Sequence, residues 1–76
     1  MESEHALMLE ALEKETVDMI KRVRERNRYM ETNKFYSMPR ELKDLIWQKH
    51  MEELALLQTN GKLCEYYGIK LNYLMS

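Results

Sequence analysis

Residues 3–31, SEHALMLEALEKETVDMIKRVRERNRYME, contain neither glycine nor proline. Within them Leu9, Leu12, Thr16, Met19, Val23, Arg26 and Met30 recur at alternating steps of three and four, a spacing that predicts one seam of an α-helix. Val17 and Ile20 widen that seam. Ser3 followed by Glu4 supplies an expected N-cap and a carboxylate beside the positive end of the helix dipole. At about 1.5 Å per residue such a helix extends roughly 40 Å, too far for a small chain unless a second helix lies along it.

The residues that follow supply the second helix. The stretch ETNKFYSM ahead of Pro39 mixes Thr, Asn and Ser with a single phenylalanine, so residues 32–38 read as a connector closed by Phe35. Pro39 is expected in the first turn of the next helix, where its missing amide costs nothing, with Ser37 or Met38 as the cap. From about 39 to 59, Leu42, Ile46, His50, Leu54 and Leu57 form a stripe with Trp47 and Met51 beside it and Leu45 and Leu56 on the other flank. These apolar groups cover well over half of the helix circumference, more than one antiparallel neighbour buries, so a further surface is expected against them. Beyond Thr59 two readings stand. Asn60-Gly61 would end the helix in a left-handed cap, leaving residues 60–76 as a short helical or extended tail; or the helix continues, and His50, Leu54, Leu57, Gly61, Cys64, Gly68 and Leu71 share a seam. The break is preferred, because two glycines inside a helix cost about 1 kcal/mol each relative to alanine.

The whole therefore reads as a single all-α domain over residues 1–76, an antiparallel helical hairpin of two long helices with a short C-terminal segment. A chain of 76 residues has a small core, and such chains are commonly supplemented by a disulfide, a metal or self-association. One cysteine forms no internal disulfide and His5 and His50 make no ligand cluster, so a homo-oligomer is the expected supplement. Trp47, Met51, Tyr66, Tyr67 and Tyr73 are its expected interface, large amphipathic or adaptable groups at a modest entropic cost. The start has no basic segment followed by an apolar run, and no stretch reaches the roughly 18–20 apolar residues that span a bilayer. The expectation is a cytoplasmic protein, off the membrane, with Cys64 reduced.

Chemistry is sparse. Cys64 has no neighbouring base, His50 with Glu53 falls short of a metal site, and the glycines form no phosphate loop, so neither an enzyme nor a metal or cofactor is expected. A formal net charge of −1 argues against wholesale nucleic-acid binding. The distinctive polar feature is KRVRERNRY at 21–29, five cations against one acid, followed by Lys34 and Tyr36. Two readings fit: a solvated helix end favoured by the dipole, or a site in which Arg22, Arg26, Tyr29, Lys34 and Tyr36 hold phosphates and stack on a base.

Residues 23–51 resemble small phage-encoded helical-hairpin proteins, among them the cyclic-nucleotide sponges that act against the CBASS and Thoeris defences. The resemblance rests on Tyr29 at the end of the first helix, on Lys34-Phe35-Tyr36-Ser37-Met38 at the position of a Phe-x-x-Leu motif, and on Leu45-Ile46 at the position of a Leu-Leu pair. Gln48 stands one residue earlier than the glutamine of those proteins, and Ala55 or a nearby apolar residue replaces a tyrosine. The resemblance implies an oligomer that sequesters a cyclic or other phosphate-bearing signalling nucleotide at subunit interfaces without degrading it. A helical module that occupies a host or phage protein is the alternative expectation.

Overall fold

The computed structural model describes residues 2–71, with the side chain of Glu2 left aside. It contains α1 (Glu2–Met30), a single-turn α2 (Asn33–Tyr36) and α3 (Arg40–Tyr66). Contacts run from His5 against Tyr67 at one end, through Arg26 against Glu53, to Tyr29 against Met38 at the turn. As the number rises along α1 it falls along α3, so the two long helices are antiparallel and the expected all-α hairpin is the observed architecture. It is elongated: 51 × 24 × 16 Å, with a radius of gyration of 15.5 Å where a compact domain of this length has about 11 Å. Each long helix thus has one long neighbour and a large outward face.

The seam read from α1 faces α3. Leu9, Leu12, Val23 and Arg26 are half-buried and Thr16, Met19, Ile20 and Met30 are buried. Ser3 lies inside the first turn of α1, not at its cap. At the far end the chain turns through one side chain. The Thr32 hydroxyl donates to Tyr29 O at 2.6 Å and accepts from Phe35 N at 3.4 Å, so a single oxygen serves the last turn of α1 and the first of α2. Phe35 is buried and meets Tyr29 edge to face, as expected of the aromatic that closes the hairpin. Ser37 caps the end of α2 instead of the start of the next helix, and Pro39 itself is the N-cap of α3, its carbonyl accepting from Leu42 N and Lys43 N.

The break preferred at Asn60-Gly61 is absent, and α3 runs on to Tyr66. The reason lies across the hairpin. Asn60 Nδ2 donates to Thr16 Oγ1 at 3.3 Å and approaches Met19 Sδ at 3.4 Å, so the side chain that would have capped a helix end is a tertiary contact instead. The cap sits seven residues later. Gly68 has φ +70°, its N–H reaches Glu65 O, and Ile69 N reaches Cys64 O at 2.8 Å, the paired bonds of a Schellman ending. Residues 60–66 therefore belong to α3 and not to a separate tail. Residues 72–76 of the expected tail, with the expected interface residue Tyr73, lie outside the described residues.

The inward stripe of α3 also differs from the expected one at two positions. Its half-buried and buried positions are Lys43, Ile46, His50, Glu53, Leu57, Asn60, Gly61 and Cys64, while Leu42 and Leu54 stay exposed. Two polar groups on the seam of α1 account for this. Thr16 and Arg26 face the other helix, and a buried hydroxyl or guanidinium needs a polar partner. Turning Glu53 inward supplies one for Arg26, and Asn60 adds a donor to the Thr16 hydroxyl, which itself donates to Leu12 O at 2.6 Å; turning the leucines inward would supply neither.

Candidate functional site

Three surfaces carry the chemistry of the molecule: a charged cluster across the middle of the hairpin, the aromatic turn, and the two outer flanks of α3. In the first, Glu53 receives Arg22 Nε at 3.1 Å on one carboxylate oxygen and Arg26 Nη2 on the other. Arg26 and Glu53 keep only 15% and 14% of their side chains exposed, whereas Arg22 is half exposed. Burial pushes the Glu53 carboxyl up, and the hydrogen bonds and charges of Arg26 and Arg22 outweigh it, so its pKa lies below the ordinary carboxylate value. His50 lies one turn before Glu53, buried, with Trp47 against it at 5.9 Å between ring centres. Among the described residues, Arg26 Nη1 and His50 Nδ1 are buried without a hydrogen-bond partner.

The five residues expected to hold a nucleotide are thus not one cluster. Arg22 and Arg26 converge, but on a carboxylate that neutralises much of their charge. Tyr29 is half-buried at the turn, its hydroxyl 4.0 Å from Met38 Sδ and its ring edge to face with Phe35. Lys34 and Tyr36 project into solvent from α2, with Tyr36 leaning on Phe35 at 6.1 Å. Two cations are tied down by Glu53, the rings of Tyr29 and Tyr36 gather around Phe35 at the hairpin end, and Lys34 stands in solvent beside them.

The flanks of α3 are where apolar surface is left over. On one side Trp47, Met51 and Leu54 follow one another at steps of four and three and are all exposed. On the other side Leu45, Leu56 and Leu63 share a stripe by the same periodicity, with Leu42 at its edge, and all four are exposed. This second side contains an open apolar groove of about 270 Å³ between the start of α1 and the end of α3, lined by Met8, Ala11, Leu12, Glu15, Leu63 and Tyr67. His5 and Tyr66 flank Tyr67 edge to face at 5.8 and 5.1 Å. Of the interface residues expected from sequence, Trp47 and Met51 therefore share one flank, Tyr67 lines the groove on the other, Tyr66 points outward at the end of α3, and Tyr73 lies outside the described residues.

No family model, curated protein or solved structure matches this chain. What the molecule does has to be argued from its own surfaces. Among the described residues no group of His, Cys, Asp or Glu is placed to hold a metal, and no helix is long and apolar enough to cross a membrane. Cys64 is buried, its sulfur 3.6 Å from Thr16 Oγ1. That position fills the core beside a hydroxyl and gives a nucleophile no access to substrate.

Sequence reasoning missed two features. The tie of Glu53 to both arginines has a signal only across the hairpin, once the register is known. The groove has none, since it depends on α3 continuing past Gly61 far enough to set Leu63 and Tyr67 beside Met8.

Proposed function

We propose that this protein works by binding and not by catalysis, as a helical interaction module that occupies a partner protein through the Trp47 flank of α3. One observation carries the reading. Trp47, Met51 and Leu54 are exposed on consecutive turns along one flank of a helix whose inward stripe is already packed on α1. An apolar row at helical spacing with an indole at its end is the surface that a groove or a second helix on another protein accepts. The test is affinity capture from bacterial lysate with tagged protein. Trp47→Ala should lose the captured partner at unchanged helix content, and Arg22→Ala should retain it. Capture of the same proteins by wild type and by Trp47→Ala with Met51→Ala would overturn this reading.

A second reading, sequestration of a cyclic or phosphate-bearing signalling nucleotide by an assembly of hairpins, is favoured by one specific feature. Arg26 Nη1 is a buried donor that Glu53 leaves without an acceptor, within a run of five cations. The resemblance of residues 23–51 to phage counter-defence hairpins points the same way. Calorimetric titration with cyclic di- and trinucleotides and ADP-ribose derivatives decides it: saturable heat that Arg22→Ala weakens supports it, and no heat from folded protein rejects it.

A further inference from the structure

We propose that a second copy of this chain covers the groove side of the hairpin, antiparallel, with Leu42 and Leu45 of each copy seated in the groove of the other. The inference uses the flank opposite to Trp47 and is independent of the function proposed above.

Four observations carry it. The first is area. The chain exposes 6291 Å², whereas a compact monomer of 9.3 kDa exposes about 5,000 Å² by the usual mass scaling. The excess, about 1,300 Å², exceeds the roughly 800 Å² that each partner of a stable dimer of standard size buries. The second is shape. The groove lies at one end of the hairpin, where Met8, Leu12, Leu63 and Tyr67 leave an apolar hollow. Leu42 and Leu45 project from the same side at the other end, Leu45 with 63% of its surface in solvent. A hollow at one end and knobs at the other, on one face, are satisfied together by a two-fold axis across the middle of the hairpin.

The third is charge. Residues 2–18 hold six acids and one lysine, and residues 21–28 hold five cations and one acid. An antiparallel copy sets the acidic end of each α1 towards the basic turn end of its neighbour, while a parallel copy would set acid on acid. The fourth is the centre of the face. Between the two ends, Leu56 stands exposed on the same side as Leu45 and Leu63 and adds an apolar contact near the centre, with the exposed Lys49 and Glu52 of the intervening turns beside it. Four antiparallel long helices then enclose one core, with a two-fold interface that closes on itself and does not propagate into filaments.

Sedimentation equilibrium of the full chain at micromolar concentration should give a mass near twice 9.3 kDa. Leu45→Glu places a charge on a residue that is exposed in the single hairpin, so it should keep the helical circular dichroism and fall to monomer mass. Leu56→Lys should do the same from the centre of the face, and Trp47→Glu, on the opposite flank, should stay dimeric. Oxidation of the Leu45→Cys/Leu63→Cys variant should link two chains through bonds from position 45 to position 63, read by peptide mapping, because only the antiparallel arrangement brings these two positions together; bonds of 45 to 45 or 63 to 63 would mark a parallel pair. A monomeric wild type, a mass indifferent to Leu45→Glu and Leu56→Lys, or dissociation by Trp47→Glu alone would each overturn the proposal.

Discussion

Asn60 shows how one side chain can invert a local signal. An asparagine followed by glycine is the common ending of a helix, yet here the amide crosses to Thr16 and Met19 and the backbone of Gly61 stays helical. The pattern was legible; the partner that overrode it was not, because it lies 44 residues away. Gly61 then has no conformational reason to be glycine. A Cβ placed there meets nothing within 4 Å, so Gly61→Ala should stabilise the hairpin by about 1 kcal/mol, raising Tm by roughly 4–8 °C in a thermal melt. Gly68 is the opposite case. Its φ of +70° closes α3, and Gly68→Ala should cost about 1 kcal/mol by urea denaturation although its Cβ also meets open space.

At the scale of elements, the seam of α1 was readable in every member, because a helix with no breakers imposes its own periodicity on the sequence. The facing stripe of α3 was readable only in part. Ile46, His50 and Leu57 point inward as expected, but Leu42 and Leu54 gave way to Lys43 and Glu53 once Arg26 had to be matched. That match makes helix pairing sensitive to acid. The folded-state pKa of Glu53 is lowered from its ordinary 4.5, so its contribution is complete above about pH 4.5 and is lost as the pH falls through the lowered value. Stability measured by denaturant titration between pH 7 and pH 3 should fall along that acid limb. In Glu53→Gln the limb should be flatter, and the variant less stable at neutral pH by about 1–3 kcal/mol, since Arg26 then faces no charge.

At the scale of the molecule, the distribution of residue types between inside and outside is the unusual property. The hairpin seam uses Thr16, Arg26, His50, Glu53 and Asn60, while Leu42, Leu45, Trp47, Met51, Leu56 and Leu63 face out. Composition and periodicity indicated that α3 carried more apolar surface than one neighbour buries, and set Trp47 and Met51 on one flank and Leu45 and Leu56 on the other, as observed; that Leu42 and Leu54 would stay outside with them depended on the polar contacts across the hairpin. A chain of this kind should unfold at a temperature that rises with its own concentration, and calorimetric scans over a tenfold dilution series would reveal it as a steady decrease in Tm. Pro39 adds a constraint on how copies trade places. Paired hairpins can interchange helices by straightening the hinge into one long rod, but that rod would hold proline in its interior, at a cost of about 3 kcal/mol, and would force Met38 into dihedrals that the following ring disfavours. In the proposed dimer each chain therefore keeps its own α1 against its own α3. Mixing differently labelled preparations should reshuffle intact hairpins on the timescale of dissociation, without waiting for any chain to unfold.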